Sequence, residues 1–176
     1  MGISHASLES RIHRAAVIVD RFVRLDTDGV GGTMNQIAFE IVGDPVAQGR
    51  PRAGKSFTGK TVLYDPAKSR DFKHYVKLVA SQHKPQELIL GPIHLELTFY
   101  QPTPKKYHTR PKQELITAGL LLPTTKPDVD NLAKGVKDGL SKIIWQDDSQ
   151  VVSMTVKKFY SMTPRVVVLI RYKEES

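Results

Sequence analysis

Residues 126–151 read KPDVDNLAKGVKDGLSKIIWQDDSQV, and the rest of the chain is organised around this stretch. Apolar residues recur in it every three or four positions, as in an amphipathic helix: Leu132, Val136, Leu140 and Ile143. Asp130 or Asn131 suits the N-cap, because a short side-chain oxygen can accept from free backbone N–H groups. After Trp145 the period breaks, and a strand-like apolar run begins at Val151. The stretch therefore predicts a helix–turn–strand unit.

Two pairs of carboxylates mark the ends of this helix. Asp128 and Asp130 stand at its head, and Asp147 and Asp148 follow in the turn beyond it. Crowded carboxylates repel one another unless a cation joins them, and hard oxygen ligands suit Mg²⁺ or Mn²⁺. The same four acids could instead cap the helix and line a polar turn. Spacing alone leaves both interpretations open, because the two pairs meet only if tertiary packing allows it.

The composition favours a polyanionic partner. The chain has 26 Lys and Arg against 18 Asp and Glu, which gives a formal net charge of +8. A basic surface around an acidic patch suits metal-dependent cleavage of nucleic acid, although many basic proteins never bind it. The absence of cysteine excludes disulfides, zinc thiolates and thiol nucleophiles, and fits a reducing cytoplasm. No apolar run is long enough to span a bilayer.

Further elements follow from local patterns. Strands are predicted at residues 37–42, 92–100, 151–160 and 165–172, the last with apolar residues on both faces, as in a central strand. Asp65-Pro66 predicts a helix start, and the following helix has its own apolar stripe: Phe72, Val76, Val79 and Ala80. Residues 161–164 are typical of a hairpin turn between the last two strands. Residues 101–126 are expected to form a long polar connection.

Residues 49–56 read GRPRAGKS and match the P-loop pattern. A P-loop needs a helix after the Lys-Ser pair, whose N-terminus binds the phosphates. A second glycine and β-branched residues follow here, and Pro51 removes an N–H that a phosphate cradle could use. We interpret the match as accidental and the segment as a basic loop suited to a DNA backbone.

The acidic stretch resembles a known family. Residues 126–132 (KPDVDNL), Lys134 and residues 145–151 (WQDDSQV) are similar to the RusA family of Holliday-junction resolvases. The family pattern is a DxDN motif with a lysine two residues past its following leucine, a helix, and a DD-x-Q-V turn. Residues 48–52 (QGRPR) look like the family's basic GRPR element. The resemblance covers about residues 34–173 and is most specific at the acids.

The resemblance implies a small dimeric endonuclease that uses a divalent metal to nick four-way DNA junctions. Asp128, Asp130 and Asp148 would hold Mg²⁺, or Mn²⁺, and Asp147 would support the site indirectly. Lys134 would lie where charge develops on the phosphate. The side chains expected to contact DNA are basic: Arg50, Arg52 and Lys126. The expected fold is α+β, a small mixed β-sheet packed against two main helices.

Residues 1–33 are expected to be an N-terminal extension with a Gly-rich linker, and residues 34–176 the endonuclease domain. A homodimer would supply the two matched nicks that a junction needs, through the C-terminal strands or the helix that carries Phe72. No membrane and no nucleotide cofactor are expected. The alternatives are a flap or RNA nuclease with the same metal site and a non-catalytic branched-DNA-binding protein.

Overall fold

The computed structural model describes residues 34–173, so the expected N-terminal extension lies outside the described residues. The elements in chain order are β1 Asn35–Val42, β2 Arg52–Lys55, β3 Thr61–Tyr64, α1 Ala67–Ser81, β4 Ile93–Pro102, α2 Arg110–Thr117, α3 Val129–Leu140, β5 Val151–Ser161 and β6 Arg165–Tyr172. Short 3₁₀ turns occupy Lys105–Tyr107 and Asp148–Gln150. Among the described residues no helix has the length and apolarity needed to cross a membrane.

The main sheet has four strands in the order β1-β6-β4-β5. Strand β6 is antiparallel to both neighbours, and β4 and β5 are parallel. The prediction that the last strand is central is confirmed. The predicted hairpin between β5 and β6 is wrong, because β4 lies between them and pairs with both. Residues 161–164 therefore connect two strands that are not neighbours.

The core lies between one face of this sheet and the two main helices, α1 and α3. Alternate residues of β4 point into it, and these are all buried: Ile93, Leu95, Leu97 and Phe99. The predicted stripes supply the helical side, with Phe72, Val76 and Ala80 from α1 and Leu132, Val136 and Leu140 from α3. The remaining predicted members, Val79 and Ile143, are only partly buried, and Ile143 lies beyond the end of α3 at Leu140. The α+β prediction, a small mixed sheet packed against two main helices, is confirmed.

Two glycines allow close packing on α3. A Cβ atom at Gly139 would lie 2.6 Å from a side-chain carbon of Val76 on α1, closer than real contacts allow. A Cβ atom at Gly135 would lie 3.3 Å from the Val46 carbonyl oxygen. The position of α3 is therefore fixed by contacts of its backbone with α1 and with the segment that leads to β2.

The helix boundaries differ from the predicted ones. Helix α3 begins at Val129 with Asp128 at the N-cap position, because the Leu132 N–H already donates to the Asp128 carbonyl (3.1 Å), so the predicted cap at Asp130 or Asn131 is wrong. Pro66, and not Asp65, occupies the N-cap position of α1. The connection after β4 is not irregular throughout, since it contains α2 and a 3₁₀ turn.

The P-loop match is an accident of sequence, as predicted. Strand β2 turns back into β3, and no helix follows Ser56. The backbone N–H groups of this segment therefore serve a β-hairpin and do not converge at a helix N-terminus.

Candidate active site

The head of α3 presents two exposed carboxylates. Asp128 holds the N-cap position and Asp130 lies in the first turn. Neither side chain has a hydrogen bond or an ion pair with any described residue. The positive end of the helix dipole favours negative charge at this place. The oxygens of both carboxylates are thus available to a cation or to solvent.

The segment before Asp128 is held by a lysine on the edge strand. Lys158 of β5 donates from Nζ to the Thr125 carbonyl (2.9 Å) and to the Pro127 carbonyl (3.0 Å). The bonds tie the approach to α3 to the sheet. Sequence reasoning missed this role, because no local pattern distinguishes a strand lysine that binds loop carbonyls from one that faces solvent.

The side chains of Asp147 and Gln150 stabilise the turn after α3. Asp147 Oδ1 accepts hydrogen bonds from the Ser149 hydroxyl (2.7 Å) and backbone N–H (2.9 Å), and these bonds lower the pKa of Asp147. Gln150 Oε1 accepts from the Asp147 N–H (2.6 Å), which completes a capping box. Gln150 Nε2 donates to the carbonyls of Ile89 and Gly91. Asp147 and Gln150 therefore fix the turn that carries Asp148.

Asp148 is half-buried and has two partners of its own. The indole N–H of Trp145 donates to its Oδ1 (3.1 Å), and Lys137 Nζ lies 3.6 Å from its Oδ2. The Trp145 ring is fully buried, so it provides a rigid donor that orients the carboxylate. Each carboxylate oxygen has two lone pairs, and one hydrogen bond leaves capacity for a further contact.

The predicted metal ligands fit a hard cation by chemistry, but they do not form a closed group. All three offer carboxylate oxygen, which Mg²⁺ prefers. Within residues 34–173, no three Asp, Glu or His side chains lie close enough together to hold a metal ion. Asp128 and Asp130 share one helix terminus, and Asp148 is engaged with Trp145 and Lys137.

A polar network missed by sequence reasoning lies beside α3. Asp65 accepts hydrogen bonds from Lys73 and from Gln48 Nε2 (2.9 Å), and Lys73 Nζ also lies 3.8 Å from Asp138 Oδ2. The Lys73 hydrogen bond is the main cause that holds the pKa of Asp65 below its ordinary value of 3.8, and the charge of Lys134 adds to it. The network binds α1 to the outer face of α3.

Gln48 links this network to the acidic motif. Its backbone N–H donates to the Asn131 carbonyl (2.8 Å), one residue past Asp130. Arg50 and Arg52 follow almost directly and are exposed, as is Lys126 before the acids. Lys134 is also exposed and makes no hydrogen bond or ion pair with the described residues. The basic loop and the acidic helix terminus are therefore joined through Gln48.

Comparisons with known proteins identify the family of this chain. Residues 43–171 match the family Endodeoxyribonuclease RusA. An uncharacterized protein of Bacillus subtilis (strain 168), YqaN, is 55% identical over 139 residues, which are 78% of this chain and 97% of the relative. A protein of Lactococcus phage r1t named crossover junction endodeoxyribonuclease rusA is 27% identical over 139 residues, 77% of this chain and 95% of the relative. The chain belongs to the RusA family of endodeoxyribonucleases.

Proposed function

We propose that this protein is a divalent-metal-dependent endonuclease that resolves four-way DNA junctions by paired nicks, in DNA recombination and repair. The observation that carries the proposal is the pair of exposed carboxylates at the head of α3, which have no hydrogen bond or ion pair among residues 34–173, in a chain of the RusA family. The phage relative's name, crossover junction endodeoxyribonuclease, supports the choice of substrate. A basic chain with a formal charge of +8 suits a DNA partner.

Asp128, Asp130 and Asp148 are the proposed ligands of Mg²⁺, with Mn²⁺ as a second candidate. When bound, such an ion polarises the phosphate and lowers the pKa of a water molecule. The protein's part is to present the carboxylates in fixed directions. Trp145 orients Asp148 through its indole N–H, and Lys158 holds the segment that ends at Asp128.

Lys134 is the proposed electrostatic partner of the reacting phosphate. It lies one helical turn after Asp130 on the exposed side of α3, and no described acid neutralises it by an ion pair. A preorganised positive charge stabilises the negative charge that develops on phosphate oxygens. Arg50, Arg52 and Lys126, all exposed, are the proposed contacts to the DNA backbone.

The proposed working unit is a homodimer in the cytoplasm, formed by the domain of residues 34–176. A four-way junction is close to two-fold symmetric, and a closed dimer places two equivalent sites at symmetric phosphates. Phe72 is buried in this chain's own core, so an interface on α1 would use its outer residues Tyr75 and Leu78. The edge strand β5 offers exposed Val152 and Met154.

A non-catalytic branched-DNA-binding protein is the second candidate. One observation favours it, namely that no three acidic or histidine side chains of the described domain form a ligand group. The free carboxylates at the head of α3 weigh against it, because negative charge beside phosphate weakens binding unless a cation is present.

Labelled substrates with and without metal test the proposal. We expect Mg²⁺ to permit symmetric nicking of a four-way junction and EDTA to prevent it, with little cleavage of duplex or single strand. Equal or preferred cleavage of a flap or of RNA would replace the junction assignment. Tight junction binding without cleavage in either Mg²⁺ or Mn²⁺ would establish the binding protein instead.

A further inference from the structure

The hairpin formed by β2 and β3 stands apart from the core. Its two strands pair with each other in a separate two-stranded sheet, Arg52 opposite Tyr64 and Lys55 opposite Thr61. None of its eight strand residues is buried. An isolated two-stranded hairpin is only marginally stable in water. Because this one buries none of its strand residues, it contributes little to the core, and a role in binding would explain its position.

The tip of the hairpin is ordered by its own hydrogen bonds. The Gly59 N–H donates to the Ser56 carbonyl (2.8 Å), and the Ser56 N–H donates to the Lys60 carbonyl (2.8 Å). Gly59 has a φ of +79°, a conformation that L side chains rarely adopt, and it closes the turn. Phe57 therefore occupies the second position of a defined turn.

Phe57 is fully exposed, with a relative accessibility of 109%. Single exposed apolar residues are common, so this exposure alone indicates nothing. The position is distinctive because a large aromatic ring is presented at the tip of a projecting and hydrogen-bonded turn. Removing such a ring from water on binding a partner is favourable, and it would contribute to the affinity.

The charge around Phe57 identifies the class of partner. Four basic residues and no acidic one lie between positions 50 and 64: Arg50, Arg52, Lys55 and Lys60. All four are exposed. A second protein surface would have to be strongly acidic to match this ribbon, whereas DNA carries negative charge along its entire length. The ribbon also suits the major groove, which admits two β-strands.

We propose that the β2–β3 hairpin inserts into the branch point of a DNA junction, where Phe57 stacks on a base. The inference rests on the proposed function, from which it takes branched DNA as the partner. Inserting an apolar side chain into continuous duplex requires unstacking of two base pairs, which costs a few kcal/mol. At a branch point stacking is already interrupted, so the same contact costs less. Phe57 would therefore favour branched over linear DNA, while the basic strands bind phosphates on either side.

Binding in EDTA to DNA that contains 2-aminopurine separates these contributions. The probe base is placed beside the branch point of a four-way junction or inside a matched duplex. We expect the wild-type protein to increase fluorescence of the junction probe, because the base leaves its stacked neighbours. Phe57→Ala should abolish that increase and weaken junction affinity on the order of tenfold. Its affinity for the duplex should be unchanged.

Three further variants serve as controls. Phe57→Tyr keeps an aromatic ring and should restore the fluorescence increase and the affinity. Leu63→Ala removes another exposed apolar side chain of the same hairpin, away from the tip, and should behave as wild type. Arg52→Ala should lower the log–log salt slope by about one, whereas Phe57→Ala should leave the slope unchanged.

An unchanged junction preference and fluorescence increase in Phe57→Ala would overturn the inference while the proposed function stands. An equal loss of affinity for junction and duplex would also overturn it, since the ring would then serve general binding. Conversion of a wild-type dimer to a monomer by Phe57→Ala would show that the tip contacts a second copy of the chain and not DNA. A wild-type protein that neither prefers nor cleaves junctions would overturn the proposed function together with this inference.

Discussion

The two acidic pairs at the ends of α3 differ in how the protein uses them. Asp128 and Asp130 have no partner among the described residues, whereas Asp147 is bonded to Ser149 and Asp148 to Trp145. One pair is exposed at a helix terminus, and the other is built into a capped turn. Two pairs of identical side chains at the ends of one helix therefore differ in their surroundings: one pair makes no hydrogen bond or ion pair with the described residues, and the other is oriented by hydrogen bonds.

The largest effect is expected at the free pair. Asp130→Asn should reduce metal-dependent cleavage about a thousandfold or more, because a lost carboxylate ligand removes several kcal/mol of assistance. Junction binding should be unchanged or tighter, since a negative charge beside phosphate is removed. Single-turnover cleavage and gel-shift assays measure the two effects. Asp147→Asn is the matched variant from the engaged pair, and because Asp147 acts only through the turn that carries Asp148, it should lower cleavage no more than roughly 10- to 100-fold. Equal loss in both variants would break the comparison.

Lys134→Ala should slow cleavage on the order of tenfold to a thousandfold, as loss of one charge near the reacting phosphate does. Its affinity for the junction should change much less. Single-turnover rates at saturating protein separate these effects, with the exposed Lys84, beyond the end of α1, changed to Ala as a control. If junction affinity fell strongly and the cleavage rate of bound DNA stayed the same, Lys134 would contribute to DNA binding alone.

Trp145→Phe tests whether Asp148 needs its fixed orientation. The change removes the indole N–H that donates to Asp148 Oδ1 and keeps an aromatic ring. We expect activity at low Mg²⁺ to fall roughly 10- to 100-fold, since partners that orient metal ligands typically contribute this much. Thermal unfolding records the separate cost of the smaller ring. An unaltered Mg²⁺ requirement would show that Trp145 serves the core alone.

The smallest effect concerns stability at Asp147. Its pKa lies below the ordinary 3.8 because Ser149 donates to its carboxylate. The charged form therefore stabilises the fold above the unfolded pKa, and this contribution is lost as pH falls through the lower folded pKa. Asp147→Asn should be slightly less stable than wild type near about pH 6, and the difference should vanish near about pH 2. Urea unfolding across this range measures it, and a difference that grows in acid would contradict the assignment.

The sequence predicted those parts of the fold that depend on local periodicity. The stripes of α1 and α3, the alternation of β4 and the two-faced apolar pattern of β6 all have direct counterparts in the core. The prediction that β5 and β6 form a hairpin is wrong and shows what periodicity cannot predict. Which strands pair depends on tertiary packing, and strands that follow one another in the chain need not be neighbours in the sheet. The cap of α3 was misplaced by two or three residues for a related reason, since several acids there satisfy the same local rule.

Residue types and the family pattern predict the acids of the candidate site. They do not predict the residues that hold those acids in place. Gln48, Lys73 and Lys158 act through contacts that join residues distant in the sequence. The local pattern predicts Asp65 as a helix cap, but its carboxylate accepts hydrogen bonds from Gln48 and Lys73 instead. Long-range polar contacts of this kind leave no periodic signal, so single-sequence patterns do not reveal them.

The central position of β6 also has a consequence for synthesis on the ribosome. Its partner β1 lies at the other end of the described residues, with Asn35 opposite Tyr172, so the sheet cannot close until the chain has emerged as far as Tyr172. Until then, β1 and β4 each lack the strand that lies between them, and unpaired edges of this kind promote association with other chains. Contacts of such long sequence separation slow folding. The edges of β1 and β4 are therefore expected to stay open to such association until β6 is added between them.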